Sequence, residues 1–181
     1  MDDQTLQNIK ERTNAKLRYA KIYLDELKSL GIIGGSDSDR AHQESFIYHL
    51  LGAKAAFIVE LNYYYQTNLS TDDLTAGKLR NALKVIGKRS PELSKLYLLE
   101  SDENSWISHA KEIRDHATHV SNVSRAYHLG GENDQKVFLK NPKTSKQIEQ
   151  HFVDLFSEWL ELMTRLLDNL RFSALQNNSL N

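Results

Sequence analysis

The sequence predicts an all-α protein, an antiparallel, up-and-down bundle of five to six helices. Three observations favour this class. Apolar residues recur at the three- and four-residue spacing of amphipathic helices along most of the chain. Only two prolines and eight glycines interrupt 181 residues, and so few helix breakers favour long helices. No segment of useful length alternates apolar and polar residues, so we expect no β-sheet.

The first two predicted helices are long. The first spans about residues 4–30 with one apolar stripe, and Gly31, Gly34 and Gly35 are expected to end it. The second spans about residues 39–67, after a run of serine and aspartate side chains that can cap it. Its apolar face is unusually broad, which predicts a central helix contacted by several neighbours.

Two shorter helices are predicted next. Residues 71–73, a threonine and two aspartates, are expected to cap the third helix, whose apolar stripe extends to Ile86. Ser90 and Pro91 form a compact start for the fourth helix, with a capping hydroxyl followed by proline at the first helical position. That helix is expected to reach Leu99.

The last third contains two further predicted helices. The fifth covers about residues 105–127 and the sixth about residues 145–172, each with an apolar stripe. Between them, residues 137–139 are expected to form a brief extended piece. Residues 1–175 are therefore predicted to form a single helical-bundle domain. Residues 176–181 are polar and are predicted to be a disordered tail.

Composition excludes several function classes. The net charge is −1 with both signs interspersed, so strong non-specific binding to DNA is not expected. The absence of cysteine excludes disulfides and thiolate metal sites. The amino-terminal residues carry no secretory pattern, and no apolar run approaches the roughly 20 residues that cross a bilayer. These features favour a cytoplasmic protein without a membrane partner, and no cofactor is predicted.

The fifth predicted helix contains the residues best suited to chemistry. Arg114 and His119 are separated by four residues, and the polar Asp115 follows the arginine. Histidine can exchange the proton of a ribose 2′-hydroxyl near neutral pH. Arginine can stabilise phosphorane charge with parallel N–H donors.

This Arg-polar-x-x-x-His pattern on a late helix of a small bundle resembles the HEPN superfamily. Many members of that superfamily are metal-independent ribonucleases that act as homodimers, with the motifs of both subunits meeting across a two-fold axis. The resemblance implies that RNA is the partner and that the catalytic residues are Arg114, His119 and Asp115. In that scheme Arg114 stabilises charge, His119 is the general base or acid, and Asp115 orients His119.

A metal site is an alternative interpretation of the same helix. Glu112, His116 and His119 lie at i, i+4 and i+7, within a sector of about 60°. One carboxylate and two imidazoles suit zinc or another divalent first-row metal. A further ligand would have to come from another helix, with His49 or His151 as the candidates.

A third interpretation assigns no chemistry to this helix. The pairs Glu112–His116 and Asp115–His119 have the ordinary i,i+4 spacing of polar residues on a solvated helix face. The chain would then be a non-enzymatic structural or interaction module with a protein partner. The sequence does not decide whether the protein is an enzyme.

Two other segments draw notice. Residues 12–17 and 44–53 resemble a family of small bacterial helical proteins of unknown function, a resemblance that implies no activity. Gly52 in the middle of a helix costs about 1 kcal/mol relative to alanine, so a close helix–helix contact is expected there.

The third helix is locally basic, and its basic residues are interpreted as a solvated face or as a phosphate-binding patch. They are Lys78, Arg80, Lys84, Lys88 and Arg89.

Overall fold

Six helices and three short strands form the part of the chain that the computed structural model describes, namely residues 3–30, 36–119, 124–128, 131 and 136–179. The prediction of a helical bundle with five to six helices is confirmed, and the fold is predominantly α-helical. The helices are α1 (Asp3–Ser29), α2 (Asp37–Tyr64), α3 (Ala76–Val85), α4 (Pro91–Ser101), α5 (Trp106–His119) and α6 (Phe152–Ser179), and the strands are β1 (Arg125–Tyr127), β2 (Val137–Lys140) and β3 (Gln147–His151). None of these helices combines the length and apolarity that crossing a bilayer would require.

Hydroxyl side chains cap four of the helices, and the cap of α5 is Ser105, which accepts from the N–H of Ser108. Ser36 accepts from the backbone N–H of Asp39 at the start of α2, and Ser90 caps α4 with Pro91 behind it, as predicted. The predicted cap of the third helix at residues 71–73 is wrong, because Thr75 takes that role by accepting from the N–H of Lys78. The glycines expected to end α1 lie outside the described residues.

Helices α1, α2 and α6 form the framework of the bundle. Lys10 lies over the Tyr64 ring at 5.7 Å, whereas Tyr23 faces His42 at 5.9 Å, so α1 and α2 run in opposite directions. Phe46 stacks on Phe156 near the start of α6, and the end of α2 pairs with the end of α6, so these two run in the same direction. The hydrophobic core between them includes residues of every helix. Its largest fully buried side chains include Phe46, Phe57, Phe152 and Phe156.

The expectation of no β-sheet is wrong. Strands β1, β2 and β3 form a three-stranded antiparallel sheet in that order. The buried strand β2 coincides with the predicted extended piece. The outer strands replace the predicted ends of two helices, because residues 125–127 and 147–151, which were expected to be helical, form β1 and β3. Pairing with β2 supplies their backbone hydrogen bonds, which overrides the helical pattern of the local sequence.

The carboxyl-terminal helix is longer than predicted. Helix α6 reaches Ser179, so it enters the segment for which the sequence predicted a disordered tail. Asn177 lies in that segment, and its amide donates to the Glu92 carboxylate at 3.0 Å, which ties the end of α6 to α4. Residues 180 and 181 lie outside the described part of the chain.

Candidate functional site

A groove with a volume of about 830 Å³ lies between α1, α2 and α5. Its floor is apolar, formed by side chains such as Ile9, Leu51 and Val59. Its polar lining comes from Arg12 and Lys16 of α1, Tyr48 of α2, Thr71 between α2 and α3, and Arg114, Asp115, Thr118 and His119 of α5. The groove therefore joins residues that are distant in sequence, and it contains all three residues that the sequence motif singled out.

Helix geometry explains why α5 contributes four neighbouring polar residues. At about 100° per residue, positions 114, 115, 118 and 119 fall within an arc of about 140°. Outside this arc lie Ala110 and Ile113, whose side chains are buried. Packing of that apolar side fixes the rotation of the helix, so the arc that carries Arg114 and His119 opens into the groove.

Asp115 contacts Arg114 rather than His119. The Arg114 guanidinium donates from Nε at 2.9 Å and from Nη2 at 2.5 Å to the same carboxylate oxygen. Within the described residues no hydrogen bond joins Asp115 to His119, so the predicted orienting role of Asp115 is not the one this geometry supports. The long arginine side chain reaches its neighbour's carboxylate, which holds the guanidinium in place.

Cationic side chains outnumber carboxylates in the groove. Arg12, Lys16 and Arg114 line it, and its one acidic residue, Asp115, is paired with Arg114. Lys16 places its ammonium 5.1 Å from the centre of the Tyr48 ring, a cation–π distance. The groove is therefore locally positive although the whole chain carries a net charge of −1.

A further cation, Lys54 of α2, lies close enough to Arg114 for the two charges to repel each other. Burial, together with the charges of Lys111 and Arg114, lowers the pKa of Lys54 to about 8, with Asp115 acting in the opposite direction. Its ammonium pairs with Glu100 of α4. Glu100 therefore compensates the charge of Lys54, which does not line the groove.

The alternative metal ligands are not arranged around a common point. Glu112 pairs with Lys143 and accepts from the Asn141 amide at 3.4 Å. It shares a second pocket of about 480 Å³ with His116 and His119, yet the described part of the chain contains no group of three acidic or histidine side chains placed to hold a metal ion. Because an ammonium and an amide already occupy the Glu112 carboxylate, this geometry gives the metal interpretation no support.

The proposed additional ligands lie elsewhere. His49 packs between the rings of Tyr19 and Tyr23 at the α1–α2 contact, where burial lowers its pKa. His151 ends β3, beside the ring of Phe138, and burial lowers its pKa as well. Neither histidine lines the pocket that contains Glu112.

Sequence reasoning missed three of the residues that give the groove its character. Arg12, Lys16 and Tyr48 lie in residues 12–17 and 44–53, and no functional pattern in the sequence marked them. Gly52 also lines the groove, and the Lys16 side chain, rather than another helix backbone, occupies the space beside it. The close helix–helix contact expected at Gly52 is therefore replaced by contact with a flexible side chain.

The fold and this groove define a predominantly helical bundle with a cationic cleft that carries an arginine and a histidine. Comparison with known proteins adds no relative, because no family model, no curated protein and no solved structure matches the chain.

Proposed function

We propose that the groove binds single-stranded RNA and that Arg114 and His119 cleave it without a metal ion, as the HEPN resemblance implies. One observation carries the proposal: Arg114 and His119 line a single groove together with Arg12 and Lys16. A solitary histidine on an open surface would offer no site for a phosphodiester. Here a general acid–base group, a bidentate cation and two further cations share one cleft.

The groove suits a flexible polyanion. Phosphate contacts from lysine and arginine supply most of the affinity for nucleic acid, and they need only local positive charge. Tyr48 is 60% exposed beside Lys16, so its ring is available to stack on an unpaired base. Such stacking contributes about 1–3 kcal/mol per base and favours single strands. Single-stranded RNA is therefore the substrate class we assign.

The proposed cleavage is an internal transesterification. The His119 imidazole takes the proton of the ribose 2′-hydroxyl, and the 2′-oxygen attacks the adjacent phosphorus. Arg114 stabilises the charge on the equatorial oxygens. The bond from phosphorus to the 5′-oxygen breaks, and a protonated imidazole returns a proton to that oxygen. The products are a 2′,3′-cyclic phosphate and a 5′-hydroxyl.

The reaction needs one base and one acid, whereas each chain brings one histidine of this kind. The homodimer implied by the resemblance supplies both, because His119 of one copy acts as base while His119 of the second acts as acid. In this scheme Asp115 is a positioning residue for Arg114, which is the contact it makes.

The test is cleavage of an unstructured, end-labelled RNA by the purified protein in excess EDTA. We expect a 2′,3′-cyclic phosphate product, and no cleavage of the same sequence with 2′-deoxyribose throughout. His119→Ala and Arg114→Ala should each lower the rate at least 100-fold. His109→Ala on α5 and Arg165→Ala on α6 are matched controls, since neither residue lines the groove, and both should retain activity.

Two results would overturn the proposal in different ways. Cleavage that persists in both the His119 and Arg114 variants would point to a contaminating nuclease. Binding of RNA without any cleavage would remove the enzymatic step and leave the groove as a binding site. In that case Arg12→Ala and Lys16→Ala should still weaken RNA binding and reduce its dependence on salt.

A further inference from the structure

Another cationic pocket lies at the turn between α3 and α4, and it shares no lining residue with the groove. Its volume is about 380 Å³, within the range of about 300–1,000 Å³ typical of small-molecule sites. Four cationic side chains line it, and no acidic residue does. They are Arg80, Lys84, Lys88 and Arg89. All four belong to the five basic residues that the sequence assigned to the third helix.

The local backbone brings these side chains together. Arg80 and Lys84 lie one turn apart on α3, on the same side of the helix. The chain then reverses at Gly87, whose φ of +70° lies in the left-handed region that glycine tolerates. This reversal brings Lys88 and Arg89 to the same pocket as Arg80 and Lys84.

The positive charge of this pocket is not neutralised within the described residues. None of the four cations makes an ion pair there, whereas Lys78 on the same helix pairs with Asp73. Like charges one helical turn apart destabilise a helix by a few tenths of a kcal/mol. An anion bound among them would remove that repulsion, and α3 would gain stability from the ligand.

Arg80 is held in a defined position. Its guanidinium carbon lies 4.5 Å from the centre of the Tyr97 ring of α4. A guanidinium held over a ring by a cation–π contact keeps N–H groups available for other partners. Those N–H groups suit two oxygens of one phosphate group. The pocket hydroxyls are already engaged, since Ser90 donates to Glu92 and Ser94 donates to the Ser90 carbonyl.

We propose that this pocket binds a compact anion carrying two or more phosphate groups. The charge decides the class, because four cations without a carboxylate partner match a diphosphate or triphosphate chain better than one monoanion. Recognition rests on the cations and not on the hydroxyl groups. The ligand is either a free oligophosphate or the phosphate chain of a nucleotide, and both present the same chemistry to the pocket.

Isothermal titration calorimetry with inorganic pyrophosphate tests the proposal at constant ionic strength. We expect saturable binding at one site per chain. The double variant Lys84→Gln, Lys88→Gln should weaken it at least tenfold. The double variant Lys78→Gln, Lys95→Gln removes the same charge from exposed positions on α3 and α4 outside the pocket, and it should change the dissociation constant less than twofold.

Further arms identify the source of the phosphate groups. ADP binding tighter than pyrophosphate indicates a nucleotide, while equal binding indicates a free oligophosphate. Ser94→Ala should leave binding unchanged. The proposal is overturned if pyrophosphate shows no saturable binding, if both double variants lose affinity equally, or if only RNA binds at these cations. Circular dichroism and thermal unfolding of each variant confirm that a loss of binding does not come from misfolding.

Discussion

The side chain of Lys16 on α1 fills the space above Gly52 on α2. A β-carbon placed on Gly52 would lie 3.4 Å from Cδ and 3.6 Å from Cε of Lys16. These atoms belong to the flexible end of the lysine, which also carries its ammonium over the Tyr48 ring. The position is therefore tolerant of a methyl group, and the glycine serves the shape of the groove more than the packing of two backbones.

Replacement of Gly52 by alanine should stabilise the fold and narrow the groove. Alanine favours a helix interior by about 1 kcal/mol over glycine, and Lys16 needs to shift only slightly. We expect the free energy of unfolding in urea to rise by up to about 1 kcal/mol. RNA binding should weaken at the same time. A loss of stability would instead mean that the helices approach more closely than this geometry indicates.

Asp115→Asn should distinguish the two roles considered for that residue, positioning of Arg114 and orientation of His119. A neutral amide no longer holds the Arg114 guanidinium electrostatically, so the rate of RNA cleavage should fall by about 10- to 100-fold. The shape of the pH–rate profile should not change, because Asp115 does not contact His119. A profile displaced along the pH axis would show that Asp115 acts on the histidine, as the family pattern implies.

A buried hydrogen-bond network around Glu92 predicts a pH dependence of stability. Burial alone raises the pKa of this carboxyl group, but hydrogen bonds from Ser173, Tyr65 and Ser90 more than offset that effect and leave its pKa below the ordinary value. The same surroundings raise the pKa of Tyr65 to about 12, chiefly through burial. Ionised Glu92 therefore favours the folded state.

Glu92→Gln should cost about 2 kcal/mol in unfolding free energy at neutral pH, since hydrogen bonds to a charged group contribute about 1.5–3 kcal/mol. A carboxyl group with a lowered folded pKa stabilises the fold above its unfolded pKa of about 4.3, and that contribution is lost as the pH falls through the folded pKa. The difference in unfolding free energy between wild type and variant should narrow as the pH falls below about 4.3. Glu158→Gln, at an exposed position of α6, should show no such change.

Most of the helical framework could be predicted because its signals are local. Short stretches of sequence suffice to recognise the Ser90–Pro91 start of α4 and the apolar stripes of α1, α2 and α6. The sheet could not be predicted in the same way. Strands β1 and β3 have three and five residues, too few to show alternation, and their pairing with β2 is a contact between separate segments.

The candidate site likewise could be predicted only where its pattern lies within one helix. The spacing of Arg114 and His119 and their shared helix were visible in the sequence, and so was the polar side of α5. Their meeting with Arg12 and Lys16 was not, because it depends on how α1 packs against α2 and α5. The Asp115 contact was also beyond prediction, since i,i+4 spacing suggested His119 as its neighbour while the arginine beside it reached the carboxylate first.

The pair Asp39–Arg125 should anchor the sheet to the bundle. Arg125 of β1 donates to both carboxylate oxygens of Asp39 at 3.3 Å, and the two side chains are 4% and 2% exposed. Asp39→Asn leaves a buried guanidinium without its counter-charge, which costs about 3–5 kcal/mol. Hydrogen exchange should accelerate in β1 and β2 well before it does in α6. Equal acceleration everywhere would mean that the sheet has no separate stability.

The pair Glu60–Arg171 should be the most important single ionic contact between α2 and α6. Arg171 donates from Nε at 2.9 Å and from Nη2 at 2.8 Å to the two oxygens of Glu60, whose side chain is fully buried. A third hydrogen bond joins Arg171 to Asn14 at 2.9 Å, so the guanidinium links all three framework helices. Arg171→Met strands a buried carboxylate and should cost about 3–5 kcal/mol.

Adding Glu60→Gln to Arg171→Met should recover part of that loss, because the buried charge is then removed as well. Arg165→Met, at an exposed ion pair on the same helix, should cost less than about 1 kcal/mol. Urea unfolding of the wild type, Arg171→Met, Glu60→Gln, their double variant and Arg165→Met measures these differences. If the losses of unfolding free energy from the two substitutions add, Glu60 and Arg171 are not coupled. A real contact makes the loss in the double variant smaller than the sum of the two single losses.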